Sequence, residues 1–258
     1  MIHRPTGPGL LPPPGDWSAR AVLDAARDLL LGSSCVGCGR PGRLLCQLCW
    51  SRLEPRPAPA SPTPRPEGLS DPWAATSYEG TVRAMILGHK EHRLLALARP
   101  LGQMLALAVF AAMQDLVPDS DSHAKASLLL VPVPSRPSTV RQRGHEPTLS
   151  LSRVAAARLT ALGRPAVCAG LLRTRPGLAD QAGLDACARA VNLAGAFRAH
   201  APALRRLADA GRPVHVVVCD DVLTTGATAA EAQRALRAVG LRPLAAVAVA
   251  ATRRRVRA

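Results

Sequence analysis

Beyond residue 67, short apolar runs alternate along the chain with longer segments of helical periodicity. The runs predict strands and the segments predict helices, because buried parallel strands are short and apolar whereas helices repeat every three to four residues. The predicted strands are Leu128 to Val133, Val214 to Cys219 and Leu244 to Ala251, and the predicted helices are Val82 to Ala112, Leu149 to Ala161 and Thr228 to Val239. This alternation favours parallel pairing through right-handed crossovers and therefore an α/β fold.

The pattern before residue 68 is different. Residues 1–17 are rich in Pro and Gly and predict a flexible arm, after which Ser18 is placed to cap a helix that reaches Gly32. The run EPRPAPASPTPRPE, from Glu54 to Glu67, predicts a stiff, extended spacer. We therefore expect an arm at 1–17, a helix and cysteine module at 18–54, a linker at 55–67 and an α/β domain at 68–258.

Four cysteines lie close together in the module. Cys35, Cys38, Cys46 and Cys49 form two Cys-x-x-Cys pairs separated by seven residues. Two such pairs can place four thiolates around one ion, and four protein ligands leave no open position, so the pattern predicts a structural zinc site. Two disulfides, ordinary buried cysteines and a redox Cys-x-x-Cys are the alternatives, and disulfides suit a secreted chain.

The strongest chemical signal is the segment HVVVCDDVLTTGATAAEA, which begins at His215. Its apolar strand ends in Asp220 and Asp221, and a polar turn then begins a helix. The two carboxylates suit a pair of ribose hydroxyls or a hard cation such as Mg²⁺. Backbone N–H groups at the start of a helix suit a phosphate dianion, and here they belong to Thr224, Thr225, Gly226, Ala227 and Thr228. The alternative is a polar turn that only caps the helix.

A basic segment, VPVPSRPSTVRQRG, follows the first predicted strand. Guanidinium groups on a loop beyond a strand suit a pyrophosphate group, although a solvated basic loop has the same composition. The candidate residues are Arg136, Arg141, Arg143 and Gly144.

Accessory candidates lie elsewhere in the chain. Lys90 stands in a polar stretch on a predicted helix and is either a phosphate ligand or part of a solvated helix face. Gln181, Arg189 and Asn192 precede the second strand and form either a hood over the site or an exposed helix. The sequence identifies no catalytic base.

The segment that begins at His215 resembles the motif with which type I phosphoribosyltransferases bind 5-phosphoribosyl 1-pyrophosphate (PRPP). Over nearly its whole length the chain resembles the ComF family, which shows a double Cys-x-x-Cys element, a Val-Pro-Val-Pro strand with an Arg-x-Arg-Gly segment, a Gln…Arg-x-x-Asn…Phe region and the PRPP motif in this order. The resemblance implies a type I phosphoribosyltransferase fold, a mostly parallel twisted sheet with helices on both faces, behind a zinc-ribbon-like module. It also implies that Asp220 and Asp221 hold the ribose hydroxyls with Mg²⁺, and that the turn holds the 5′-phosphate.

Two functions are compatible with this resemblance. The first is an enzyme that transfers phosphoribosyl to, or releases it from, an unidentified small nitrogenous acceptor. The second is a non-catalytic PRPP-binding module whose zinc element engages single-stranded DNA or a DNA-uptake helicase in competence. One departure affects the acceptor: relatives often read Arg-Gly-Phe-Asn-Gln, whereas this chain has His145, Glu146 and Pro147 after Gly144. The acceptor preference of relatives therefore does not transfer.

Composition changes this picture little. The 33 basic and 18 acidic residues give a formal net charge of +15, but the excess is arginine spread along the chain, and aromatic residues make up only 2% of it. Such a surface permits nucleic acid without indicating it, because stacking platforms for bases are scarce. The start of the chain lacks a signal-peptide pattern, and no apolar stretch was expected to reach membrane-spanning length. We therefore expect a cytoplasmic protein without membrane insertion.

Overall fold

A computed structural model describes residues 33–117, 126–175, 195–203 and 214–252. The predicted arm and first helix, and the hood candidates Gln181, Arg189 and Asn192, lie outside the described residues. The described helices are α1 (Gln47–Ser51), α2 (Gly80–Glu91), α3 (Ala98–Leu116), α4 (Pro137–Arg143), α5 (Pro147–Ala161) and α6 (Ala227–Arg237). The described strands are β1 (Ala58–Pro59), β2 (Pro72–Ser77), β3 (Ser127–Pro132), β4 (Ala166–Cys168), β5 (Leu172–Thr174), β6 (Phe197–Ala199), β7 (Val214–Leu223) and β8 (Pro243–Ala251).

The main sheet has the order β1-β2-β8-β7-β3-β4, and all its pairs are parallel except β1 with β2. A separate antiparallel pair is formed by β5 and β6. The central strands are almost entirely buried, as expected for a sheet whose faces carry helices. The structure confirms a mostly parallel α/β fold, and it places the carboxyl ends of β2, β8, β7 and β3 along one edge.

The predicted helix from Val82 to Ala112 is wrong as a single element. The structure has α2, then a 3₁₀ turn at Leu95–Leu97, then α3. Arg93 adopts a left-handed conformation with φ 55°, and the N–H of Leu94 donates to the carbonyl of Gly88, which ends α2. The break was not visible in the sequence, because left-handed helix ends usually carry glycine.

The other predicted elements are confirmed to within a few residues, with one difference that matters for the site. Strand β7 continues to Leu223, four residues past the predicted end at Cys219. Asp220 and Asp221 therefore lie within the strand and share its ladder with β8, since Asp220 pairs with Ala248. Their backbone is fixed by the sheet and not by a loop.

Helix α3 packs against α5 and against the sheet at β8. Among the described residues, Leu95–Leu116 is the one helical stretch long and apolar enough to cross a membrane by length and composition. The expectation that no stretch reaches that length is therefore wrong. Eleven residues of α3 are buried in the protein, among them Leu101, Met104 and Leu105, and α3 is the central helix of the core.

The proline-rich segment 55–67 lies against the sheet. Ala58 and Pro59 pair with β2, and the N–H of Ala60 donates to the carbonyl of Pro72. Further along, Arg65 donates twice to the carbonyl of Leu69. We predict from the sequence an extended spacer with no core of its own, and the segment is extended but also adds an edge strand to the sheet. The difference arises because alternate residues of an extended chain can still accept and donate hydrogen bonds at a sheet edge.

Candidate functional site

A cleft of about 840 Å³ opens at the carboxyl edge of the main sheet. It is bounded by the ends of β2, β3 and β7, by α4, by the start of α5 and α6, and by the end of α2. Ligands of open α/β sheets bind at this edge, so the cleft is where the fold would place a substrate. Residues from three of the predicted groups line it: the acids, the phosphate turn and the basic segment.

Asp220 and Asp221 form the floor of the cleft. Asp221 is only 5% exposed, and its Oδ1 accepts a hydrogen bond from the N–H of Val222 at 2.9 Å. Oδ1 of Asp220 accepts from the N–H of Asp221 at 2.8 Å. Burial and the adjacent charge of Asp221 raise the pKa of Asp220 well above its usual value, although Lys90 opposes this. A bound cation would relieve the repulsion between these two neighbouring carboxyl groups.

Lys90 reaches the acids from α2. Its Nζ lies 2.7 Å from Oδ2 of Asp221. Oδ2 is buried and accepts no well-directed hydrogen bond from the described residues, so the contact is an ion pair in which the angle is poor. Burial lowers the pKa of Lys90, but the attraction of Asp221 and Asp220 outweighs it, so the net effect raises that pKa and keeps the amine charged. Lys90 is therefore part of the lining of the cleft and is paired with Asp221, although its side chain is 36% exposed.

The Thr-Thr-Gly turn follows β7 and begins α6. Gly226 is the N-cap of α6 and has φ 75°, and Thr224 and Thr228 line the cleft. On the far side, a Cβ at Gly226 would lie 2.7 Å from Cδ2 of Leu69 and 3.0 Å from Cγ of Pro62. The turn thus faces the cleft on one side and is supported by the proline-rich segment on the other.

The basic segment is helical where a loop was expected. Pro137 begins α4 and Gly144, with φ 74°, ends it. Arg136 and Arg143 line the cleft, whereas Arg141 is exposed and is not among the lining residues. Arg143 forms an ion pair with Glu91, and its Nη2 donates to both carboxylate oxygens at 2.6 Å.

The sequence did not single out Tyr78 or Thr148, and it did not predict the contact between His89 and His145. Tyr78, just beyond β2, and Thr148, near the start of α5, line the cleft. His89 is buried, and its ring packs edge-on against that of His145 with centroids 5.3 Å apart. Burial lowers the pKa of His89 and keeps the imidazole neutral. At the end of α2 only Gly88 and His89 are buried, whereas Glu91 is exposed.

The four cysteines form a second site. Their Sγ atoms all lie within 4.8 Å of one another. Tetrahedral zinc with Zn–S bonds of about 2.3 Å requires sulfur separations of about 3.8 Å, and the Cys38 and Cys46 sulfurs are 3.7 Å apart. All four cysteines are free thiols, so the disulfide alternative is wrong for the described chain. The cluster can hold a structural metal ion such as zinc.

The environment of the thiols fits that role. Although burial raises its pKa, backbone N–H groups that include that of Cys46 lower the pKa of Cys35 to about 6. Burial and the neighbouring sulfurs raise the pKa of Cys49 to about 12. Four sulfurs at contact distance cannot all be thiolates without a cation to neutralise them, which is the condition that a bound metal meets.

No protein-family model and no curated protein matches this chain. The resemblance to the ComF family therefore rests on the motifs of the sequence, and the structure adds the four-cysteine cluster and the mostly parallel α/β sheet.

Proposed function

We propose that this protein binds PRPP with Mg²⁺ in the cleft at the carboxyl edge of the sheet and acts as a phosphoribosyltransferase-like protein of the ComF family. The observation that carries the proposal is the shared cleft. The buried acids, the turn at the start of α6 and the basic side chains from α2 and α4 line one space. A sugar that carries a phosphate at one end and a pyrophosphate at the other matches these charges.

Each part of PRPP has a complementary group. Asp220 and Asp221 would accept hydrogen bonds from the ribose hydroxyls, and the N–H groups of residues 224–228 would hold the 5′-phosphate. Arg136 and Arg143 would meet the pyrophosphate, with Lys90 between the two regions. The type I phosphoribosyltransferase fold is part of this proposal.

Both implied metals have fitting ligands. Oδ2 of Asp221 is buried at the cleft and lacks a well-directed hydrogen bond, and the acid pair offers the oxygen ligands that Mg²⁺ prefers. When bound with PRPP, Mg²⁺ would neutralise charge on the leaving pyrophosphate. We further propose that Cys35, Cys38, Cys46 and Cys49 hold Zn²⁺ in a structural role.

In the reaction, the bond from C1 of the ribose to the pyrophosphate oxygen breaks, and the pyrophosphate leaves with its electron pair. A nitrogen atom of the acceptor forms the new bond to C1 and then loses its proton to the solvent. The arginines and Lys90 would stabilise the leaving anion, while the acids and the turn hold the sugar in place. In this scheme the side chains work through charge and position.

Isothermal titration calorimetry tests the binding. We expect PRPP to bind with Mg²⁺ and not without it, and we expect Asp221→Asn to weaken binding at least about tenfold through loss of a buried charged ligand. Asp115→Asn is the control, since Asp115 is exposed on α3 and does not line the cleft. Wild-type protein that shows no binding of PRPP with Mg²⁺ would rule the proposal out.

Turnover separates the enzyme from a binding module. Pyrophosphate release with a panel of nitrogenous bases would identify an acceptor. Binding without release would favour the non-catalytic alternative, in which PRPP acts as a signal or a structural ligand.

A further inference from the structure

Two neighbouring residues at the end of α2 pair with the two sides of the cleft. Lys90 reaches Asp221 on β7 at 2.7 Å, and Glu91 reaches Arg143 on α4 at 2.6 Å. The two contacts have opposite polarity, because α2 offers a cation to the acid side and an anion to the basic side. Asp221 and Arg143, two of the groups that a ligand would use, are therefore each already paired with a group of opposite charge.

We propose that Lys90 and Glu91 are placeholders for the metal and the diphosphate in the cleft, so that the cation and the anion bind well only together. This inference rests on the proposed function and adds to it a coupling between the binding of the metal and the binding of the anion. Lys90 stands where a cation would otherwise sit against Asp221. Glu91 stands where a diphosphate oxygen would otherwise sit against Arg143.

Binding of the cation alone or of the anion alone leaves a charged side chain of α2 without its closest counter-charge. A free divalent cation at Asp221 must displace Lys90, which then loses its closest counter-charge. A free diphosphate at Arg143 must displace Glu91 in the same way. A complex that brings both charges compensates both displacements, because the released Lys90 can contact the diphosphate. The metal and the anion are therefore coupled through α2.

The two pairs differ in the burial of their carboxylates. The Lys90 and Asp221 side chains are 36% and 7% exposed, whereas the Arg143 and Glu91 side chains are 20% and 42% exposed. Charge pairs weaken as water screens them, so displacement of Lys90 carries the larger penalty. Lys90 interacts electrostatically with Asp220 and Arg143 in addition to Asp221. It therefore belongs to the charged groups of the cleft.

The placeholder role predicts a gain of binding on substitution. Lys90→Gln should tighten the binding of Mn²⁺ alone about tenfold, since it removes the competing cation from a buried carboxylate. The same variant should bind PRPP with Mg²⁺ more weakly than wild type. Arg83→Gln is the matched control, because it removes one positive charge from an exposed position of the same helix. Lys90→Arg keeps the cation and should restore weak Mn²⁺ binding.

A second experiment tests the anionic residue, Glu91, in the same way. Glu91→Gln should tighten the binding of inorganic pyrophosphate without metal about threefold, a smaller effect because this pair is more exposed. Glu79→Gln, at the exposed start of α2, is its control. Mn²⁺ binding can be followed by electron paramagnetic resonance and pyrophosphate binding by calorimetry, and neither requires turnover.

The outcomes separate the two proposals. If wild-type protein binds PRPP with Mg²⁺ but Lys90→Gln binds Mn²⁺ no more tightly than Arg83→Gln, the placeholder inference is wrong and the proposed function stands. If wild-type protein does not bind PRPP at all, the proposed function fails and the inference falls with it. Thermal unfolding of each variant confirms that it is folded before the titrations are compared.

Discussion

At the residue scale, the sequence was most informative where one residue type has few other uses. Two acids followed by Thr-Thr-Gly pointed to the cleft, and the paired cysteines pointed to a metal cluster. Lys90 and Glu91 were harder to interpret, because a polar stretch on a helix is usually solvated. Their role depends on where α2 ends, and that is set by the left-handed Arg93, which carries no sequence signal. Tyr78 and Thr148 likewise become site residues only through the topology of the sheet.

Gly226 gives the first prediction at this scale. Gly226→Ala should destabilise the protein in two ways, because φ is 75° and because the new Cβ would lie 2.7 Å from Leu69. Gly163→Ala isolates the first cost, since Gly163 has φ 79° but open space around its Cβ position. We expect Gly163→Ala to lower the free energy of unfolding by about 1 to 2 kcal/mol. Gly226→Ala should lower it by about 1 to 3 kcal/mol more, because of the added contact. Urea unfolding measures both variants. If both lose the same free energy of unfolding, the proline-rich segment does not support the turn at Gly226.

Glu231 gives a prediction about pH. Burial raises its pKa, but hydrogen bonds from Arg234 and from the N–H of Phe197 outweigh burial and lower it overall. A carboxyl group whose pKa is lower in the folded state stabilises the protein above its unfolded pKa, and this stability is lost as pH falls through the folded pKa.

Glu231→Gln should therefore cost about 1 to 2 kcal/mol of unfolding free energy near neutral pH, and this cost should shrink below the ordinary carboxyl range of about pH 4. Urea unfolding at both pH values measures it, with Glu67→Gln, an exposed carboxylate, as control. A cost that does not change with pH would show that the charge of Glu231 is not what stabilises this contact.

At the element scale, strands with a strong apolar signal were predicted well and irregular elements were not. Strands β3, β7 and β8 and helices α5 and α6 begin and end within a few residues of the expected positions. Strand β2 was missed because it begins with Pro72 and ends in the polar residues Thr76 and Ser77, which do not read as a buried apolar run. The basic segment was expected as a loop, although a proline at its first turn and a glycine after its last are signals of a short helix.

Helix α4 separates its arginines into two groups. Arg136→Gln and Arg143→Gln should each weaken the binding of PRPP with Mg²⁺ about tenfold, because each removes a charge from the lining of the cleft. Arg141→Gln removes the same charge from the exposed side of the same helix and should change the affinity much less. Calorimetry that ranks Arg141 with the other two would show that affinity follows bulk charge and not position.

At the scale of the whole molecule, the four-cysteine module and the α/β domain share a core. Val36, Leu44, Leu45 and Leu53 pack against the main hydrophobic cluster. Gly37 lies between Cys49 and Thr81, the second residue of α2. The sequence suggested a satellite module on a spacer, since proline-rich stretches usually separate domains. Spacing along the chain cannot reveal that the module packs against the helix that carries Lys90.

Removal of the metal should therefore affect more than the module. We expect a strong chelator, or Cys35→Ser, to lower the midpoint of thermal unfolding for the whole domain and to weaken PRPP binding, because α2 loses part of its support. Cys168→Ser is the control, as Cys168 lies on β4 outside the cluster. An unchanged midpoint after verified metal loss would show that the module is energetically independent.

The most direct test of the account is a crystal structure of the protein with PRPP and Mn²⁺. We predict an anomalous peak for Mn²⁺ beside the acids at the end of β7, the 5′-phosphate against the N–H groups of residues 224–228, and Lys90 moved from Asp221 toward the diphosphate. A cleft that stays empty at saturating PRPP, or a ligand bound away from this edge of the sheet, would contradict it.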